Sequence, residues 1–209
     1  MTDLIYTIIA VLFALSFHEF AHAWMGTRLG DPTARLQGRL TLNPLKHLDP
    51  VGTFALIFFH FGWGKPVPFN PHNLANPKRD GALIALAGPL TNLLIAIVVA
   101  VPLKYFGQTG FVSSELYQLL DVFYQVNIIL LGLNLLPLPP FDGSKVLGLF
   151  IPRRWYNAYD TYLDQGVTYV LIFILFDNFI LGQLFGFSIL SLGLGSFLSW
   201  AHALISIGT

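Results

Sequence analysis

Residues 4–25 read LIYTIIAVLFALSFHEFAHAWM, an apolar run close to the length of about 20 residues that a membrane-spanning helix requires. Its strongly polar residues gather near the end of the run, in the motif His18-Glu19-Phe20-Ala21-His22. Ionisable groups inside a spanning helix are energetically costly and generally serve a function. The stretch therefore predicts both a membrane protein and a buried polar site.

The motif has the pattern H-E-x-x-H, which is typical of zinc peptidases. In a helix, His18 and His22 are four residues apart and share one face, so both imidazoles can reach the same zinc ion. Glu19 lies beside them, where it can take a proton from water. Glu19 is one of two glutamates in the chain, and the number of such motifs expected by chance is roughly 0.002. We interpret Glu19 as a catalytic acid/base.

Two histidines leave a catalytic zinc ion short of a ligand, because such a site generally has three protein ligands and one open position. The chain has no cysteine, so the third ligand must be His, Asp or Glu. Asp142 is the best candidate, since it ends the proline-rich stretch 134–143, NLLPLPPFDG. A helix broken by prolines can carry a carboxylate back to membrane depth. The alternative is that Asp142 caps the short helix that follows.

The composition of the whole chain agrees with a membrane protein. Of 209 residues, 55% are hydrophobic and 11% are charged, whereas soluble domains usually have about 25% charged residues. The formal net charge is zero, so no attraction to nucleic acid is expected. We expect one domain over residues 1–209, embedded in the lipid bilayer, with a catalytic core over about 4–152 and accessory helices over about 153–209.

Hydrophobic segments predict an all-α, multi-pass fold with about five transmembrane helices. Their bounds are near 4–25, 81–103, 116–136, 167–184 and 187–207. Residues 51–63 are apolar but too short to cross easily, which favours a re-entrant segment. Polar and apolar residues alternate in residues 34–42, ARLQGRLTL. We therefore also expect a small membrane-associated β-hairpin or sheet, with residues 65–69 beside it.

The positive charges predict an orientation in the membrane. If residues 51–63 do not cross, ten of the eleven Lys and Arg residues fall on one side, and Lys104 lies near the other. The positive-inside rule makes the crowded side cytoplasmic. We therefore expect a multi-pass cell-membrane protein with its N-terminus outside and its active site near the cytoplasmic side.

Three motifs, taken in their order along the chain, resemble those of the site-2 proteases, a family of zinc intramembrane metalloproteases. They are the HExxH of residues 18–22, the GxxxN of residues 88–92 (GPLTN) and the N-x-x-P-x-P-x-x-D-G of residues 134–143. The stretches GRLTLNPLKHLDPVGT and GWGKPVPFNP also look like compact bacterial and archaeal members. Larger relatives carry a PDZ or a CBS domain, and neither fits within this sequence.

The resemblance implies a regulated intramembrane peptidase whose substrate is a transmembrane protein or peptide. It assigns one zinc ion per chain to three ligands that match the family pattern, His18, His22 and Asp142, with Glu19 as the acid/base. It also assigns contacts with the substrate backbone or the developing oxyanion to Asn92 and Asn134.

Two other classes of function use the same polar cluster. A transporter would conduct a metal ion or protons through it, but would want polar residues on both sides of the membrane. A non-catalytic binder of membrane proteins would be expected to have lost Glu19 or one of the ligands, and all four residues are present.

Overall fold

A computed structural model describes residues 2–59, 64–106 and 113–206 of the chain. The α-helices of this part are α1 (Thr2–Arg28), α2 (Thr33–Leu36), α3 (Pro50–Phe59), α4 (Pro77–Phe106), α5 (Ser114–Leu135), α6 (Asp142–Leu147), α7 (Tyr156–Leu175), α8 (Gln183–Phe185) and α9 (Ile189–Ser206). Short 3₁₀ turns lie at Pro44–Lys46, Pro71–Asn73, Gly148–Phe150 and Arg153–Trp155, and a π-helical segment, Phe176–Gly182, continues α7.

Helices α1, α4 and α5 form the central bundle, in which α1 packs against both others and α4 packs against α5 and α6. Alanines occupy much of the buried surface of α1 and α4, which lets the two backbones approach closely. Larger side chains fill the space between α4 and α5, including Leu103, Tyr124, Ile128 and Leu131. Many large apolar side chains elsewhere on these helices face outward, as expected for a surface in contact with lipid.

Local sequence fixes where the central helices begin and end. After α1, Gly30 has a φ of 100°, and the N–H of Asp31 donates to the carbonyl of Gly26, 2.9 Å away. A residue in the left-handed region with this hydrogen bond is a common way to end a helix. Helix α4 starts at a proline, and the side chain of Asn76 accepts from the N–H of Arg79 in its first turn.

Four helical stretches are long and apolar enough to cross a membrane by length and composition: Leu4–Arg28, Pro77–Tyr105, Ser114–Leu135 and Arg153–Phe185. The multi-pass helical prediction is thus confirmed, but the expected count of five is not supported. The difference lies in the last predicted span, where the described residues give an apolar helical stretch over Ile189–Trp200, below the length of the other four.

The predicted β-hairpin is wrong. Residues 34–36 of the alternating stretch lie in α2 and turns follow, so the described residues contain no strand. One isolated antiparallel bridge joins Leu48 to Gly64. Period-two alternation over so few residues does not by itself specify a strand, because a strand also needs a neighbour to pair with. Residues 65–70 belong to no helix or strand; Asn70 has extended backbone angles, and the residues before Pro66, Pro68 and Pro71 are biased towards extended conformations.

The short apolar segment predicted to be re-entrant begins with the ten-residue helix α3. Its remaining residues, 60–63, lie outside the described part of the chain. The proline-rich stretch after α5 behaves as its sequence suggests, since α5 ends at Leu135 and α6 starts at Asp142. This break lets α6 pack against α4 and α5 and brings Asp142, in its first turn, next to His18 and His22 of α1.

Candidate metal centre

Three side chains from distant parts of the sequence converge inside the bundle. Oδ2 of Asp142 lies 3.2 Å from Nε2 of His18 and 3.1 Å from Nε2 of His22, and the two Nε2 atoms are 2.9 Å apart. All three residues are buried, with at most 8% of their surface exposed. The structure thus brings together the two histidines of α1 and the aspartate that follows the proline-rich break.

The partners of the Nδ1 atoms decide which nitrogen of each neutral ring carries the proton. Nδ1 of His22 lies 2.7 Å from the carbonyl oxygen of Ile84, which can only accept a hydrogen bond. Nδ1 of His18 lies 2.6 Å from Oδ1 of Asn92. With Nδ1 protonated in both rings, each Nε2 directs a lone pair towards the other and towards Asp142.

Three acceptors this close repel one another unless a proton or a metal ion lies among them. Two imidazole nitrogens and a carboxylate oxygen are zinc ligands, and zinc–donor distances of about 2.0–2.2 Å in a tetrahedral site put donors roughly 3.3–3.6 Å apart. The observed separations of 2.9–3.2 Å lie a few tenths of an ångström below that range. The cluster of His18, His22 and Asp142 therefore fits a zinc ion.

Glu19 is held beside this cluster by a main-chain donor. Its Oε2 accepts the N–H of Val67 at 3.0 Å, and the residue is 8% exposed. The second carboxylate oxygen is not used in that bond. Val67 belongs to the extended segment 65–70, so this segment orients the glutamate while the adjacent histidines face the same cavity.

A buried arginine holds the start of the extended segment 65–70 in place. The guanidinium of Arg39 donates from Nη2 to the carbonyl of Lys65, and Arg39 is 4% exposed. Burial lowers the pKa of Arg39 below its ordinary value, and the negative charge of Glu19 acts against that shift. Lys65 also donates its N–H to the carbonyl of His47, at 2.8 Å. Two polar contacts on Lys65 thus fix the backbone two residues before Val67.

Of the two predicted substrate-contacting asparagines, one reaches the cavity. Asn134 lines it together with His18, Glu19, His22 and Asp142, and its Nδ2 donates to the carbonyl of Leu130. Asn92 is fully buried and lies behind the ring of His18, on the side away from the cavity. Its contact in this structure is thus with a candidate metal ligand.

Several residues of the site were missed by the sequence interpretation. Asn127 on α5 is fully buried and accepts from Nδ2 of Asn92 at 2.9 Å. Nζ of Lys145 lies 3.5 Å from Oδ1 of Asp142, the carboxylate oxygen turned away from the rings. A polar residue within an apolar helix was a usable signal for Asn127. No sequence signal identifies the backbone groups of Val67 and Ile84.

At the end of α1, Asp31 joins two loops that flank the site. Oδ2 of this buried residue accepts the N–H of Asn70, and Oδ1 accepts from Thr33 and from Nδ2 of Asn73. Burial alone would raise the pKa of Asp31, but these hydrogen bonds favour the carboxylate and hold its pKa below the ordinary value. Asp31 thereby ties residues 70–73 to the end of the helix that carries both histidines.

The chain is similar to curated proteins that are named as zinc metalloproteases. It is 39% identical over 152 residues to "Putative zinc metalloprotease YwhC" of Bacillus subtilis, covering 70% of this chain and 69% of the relative. It is 34% identical over 142 residues to "Putative zinc metalloprotease Rip2" of Mycolicibacterium smegmatis, covering 65% and 53%. "Zinc metalloprotease MJ0392" of Methanocaldococcus jannaschii is 26% identical over 174 residues, covering 80% and 42%.

The match thus spans about two thirds of the Bacillus relative and about half or less of the other two. No family model matches the chain. No solved structure matches it either. A helical membrane bundle with a buried His/His/Asp cluster beside a glutamate falls in the class of zinc metalloproteases, as do these relatives by name. Within that class, the chain belongs to the site-2 protease family.

Proposed function

We propose that the protein is an intramembrane zinc endopeptidase that hydrolyses peptide bonds within or near transmembrane segments of other membrane proteins. The single observation that carries the proposal is the convergence of Nε2 of His18, Nε2 of His22 and Oδ2 of Asp142 beside Glu19 within a bundle of apolar helices. Family membership supports the peptidase chemistry, and the position of the cluster within apolar helices supports its place in the membrane.

His18, His22 and Asp142 would hold one zinc ion per chain. When bound, zinc activates water as a nucleophile near neutral pH and polarises a carbonyl group. The carboxylates of Asp142 and Glu19 balance the double positive charge of the ion, which lowers the cost of burying each charge. Lys145 pairs with the other oxygen of Asp142 and so directs Oδ2 towards the rings.

Glu19 would move the proton. The N–H of Val67 donates to Oε2 of Glu19. Oε1 would therefore accept the proton from the attacking water and later pass it to the leaving amine. The amide of Asn134, which faces the same cavity, would donate to the oxyanion that develops on the peptide carbonyl. Both roles require groups that are already oriented before the substrate arrives.

The extended segment 65–69 would hold the unwound substrate. The N–H of Lys65 donates to the carbonyl of His47 and its carbonyl accepts from Arg39, so both main-chain polar groups of Lys65 are already used. Because successive residues of an extended chain point to opposite edges, Pro66 and Pro68 face the other edge, and prolines have no N–H. That edge offers carbonyl acceptors alone, so the substrate backbone would have to supply the N–H donors.

The positive-inside rule supports an orientation with the N-terminus outside and the site near the cytoplasmic side of the cell membrane. The loops that flank the site, with Arg35, Arg39, Lys46 and Lys65, would then lie on the cytoplasmic side, from which water could enter the cavity.

The test uses detergent-purified protein and compares the wild type with His22→Ala, Asp142→Ala and Glu19→Gln. Metal content is measured by mass spectrometry, and cleavage is measured in liposomes with a panel of transmembrane peptides whose products are sequenced. We expect about one zinc ion per chain in the wild type, its loss in both ligand variants, and its retention in Glu19→Gln without cleavage.

A folded wild-type protein that takes up no zinc would overturn the metal site. Cleavage by Glu19→Gln at the wild-type rate would overturn the role of Glu19. Cuts confined to the water-exposed ends of every peptide would contradict an intramembrane site while leaving the peptidase intact.

A further inference from the structure

A line of buried amides leads away from the metal-binding cluster across three helices. Nδ1 of His18 on α1 meets Oδ1 of Asn92 on α4 at 2.6 Å, and Nδ2 of Asn92 donates to Oδ1 of Asn127 on α5 at 2.9 Å. Nδ2 of Asn127 donates to the carbonyl of Phe123, 2.8 Å away and one turn earlier in the same helix. Asn92 and Asn127 have no exposed surface, and neither lines the cavity.

The direction of these hydrogen bonds is fixed from the far end. The carbonyl of Phe123 can only accept, so it must face the NH₂ group of Asn127. The oxygen of Asn127 then faces Asn92 and can only accept the NH₂ group of that side chain. The oxygen of Asn92 is consequently turned to His18, whose Nδ1 must supply the proton. Reversing either amide would put two donors or two acceptors face to face in a buried site, which is costly.

We infer that Asn127 is a positioning residue that acts through Asn92 to keep the proton of His18 on Nδ1 and the lone pair of Nε2 directed at the metal ion. The inference rests on the zinc site proposed above. Asn127 touches neither the substrate nor the metal ligands. The carbonyl of Phe123 is the one group in the series that can only accept a hydrogen bond, so it sets the direction of the others. The corresponding anchor for His22 is the carbonyl of Ile84, which needs no intermediary.

This difference predicts that the ring orientation of His18 depends on polar side chains, whereas that of His22 does not. His22 is oriented by a main-chain carbonyl, and no side-chain substitution removes that carbonyl without moving the helix. His18 receives it from two side chains, so its orientation can be lost while α1, α4 and α5 stay packed. Partners of this kind typically change metal affinity by about 10–100-fold when they are removed.

The test measures zinc affinity by competition with a chelator in detergent for the wild type, Asn127→Leu, Asn92→Ala and the double variant. Leucine has a similar volume but can neither donate nor accept. We expect zinc affinity to fall at least about 10-fold in each single variant. Because Asn127 acts through Asn92, the double variant should be no weaker than Asn92→Ala alone.

Two controls separate positioning from packing. Ile128→Ala removes the neighbouring core side chain, which is 6% exposed, and lowers stability without touching the amides. Asn178→Leu repeats the same substitution at an exposed asparagine that also donates to a carbonyl four residues earlier. We expect both controls to keep wild-type zinc affinity, and circular dichroism should show folded helices in every variant.

A spectroscopic readout completes the test, since a merely structural role would not move it. With ¹⁵N-labelled imidazoles, His18 in the metal-free wild type should show a single tautomer protonated at Nδ1, whereas Asn127→Leu should show a mixture. Zinc affinity within twofold of wild type in Asn127→Leu would overturn the inference but leave the zinc site standing. Equal losses in Ile128→Ala and Asn127→Leu would also overturn it, as would additive losses in the double variant. A wild type that binds no zinc would overturn both proposals.

Discussion

Gly88 lies directly against the ring of His22: a β-carbon built at Gly88 would come within 2.5 Å of Nε2. The same atom would be 2.5 Å from Cε1 of His18. Gly88 stands one helical turn before Asn92, so α4 provides free space for both rings at one position and a hydrogen-bond partner for His18 at the next. The backbone of α4 therefore forms one wall of the cluster of His18, His22 and Asp142.

Gly88→Ala should displace the two rings and reduce zinc affinity by at least about 10-fold, because well-packed helices cannot separate enough to admit a methyl group. Chelator competition measures the effect. Gly26→Ala on α1 is the matched control, since its β-carbon would meet ordinary contacts at 3.7 and 4.0 Å. Unchanged zinc affinity in Gly88→Ala would show that α4 can shift away from the rings.

Val67→Pro should lower kcat/KM about 10–100-fold while leaving zinc bound, because the variant loses the N–H that orients Glu19. Proline suits the extended backbone between Pro66 and Pro68. Val67→Ala keeps the N–H and should retain most of the cleavage rate. If alanine and proline reduce the rate equally, the side chain of Val67 matters and its N–H does not.

Asp31→Asn should destabilise the protein by about 1–2 kcal/mol at neutral pH, since several hydrogen bonds converge on the carboxylate. The pKa of Asp31 is lowered by folding. Its stabilising effect is therefore fully present above the unfolded value of about 3.9 and is lost as the pH falls through the lower folded value.

The difference in thermal stability between wild type and Asp31→Asn should accordingly shrink below about pH 4. The exposed Asp164 provides a control, and Asp164→Asn should leave stability unchanged. If the difference in thermal stability between wild type and Asp31→Asn is the same in acid and at neutral pH, the charge of Asp31 does not stabilise the loops.

The proposed orientation can be tested by cysteine labelling, because the chain contains no cysteine of its own. Lys46→Cys lies in the exposed loop after α2, and Ser114→Cys starts α5. A membrane-impermeant maleimide added to intact cells should label Ser114→Cys alone. Lys46→Cys should react only after the membrane is permeabilised. The reverse pattern would place the N-terminus inside.

The sequence by itself determined the helical membrane class and predicted the residues of the candidate metal site. Apolar runs of membrane length leave few structures other than helices, because the backbone must satisfy its own hydrogen bonds in lipid. The spacing of His18 and His22 places both on one helix face, and the absence of cysteine restricts the choice of ligands. These inferences depend on local geometry and composition, which a single sequence contains.

The tertiary structure alone decided how the site is held. Thr33–Leu36 forms a helical turn although the surrounding alternation suggested a strand, since the described part of the chain contains no strand to pair with it. Asn92 turns to His18 and not to the cavity because Asn127, 35 residues away, fixes its amide. The N–H of Val67 orients Glu19 across a separation of 48 residues. Contacts between such distant residues depend on how the helices pack, which local sequence patterns do not encode.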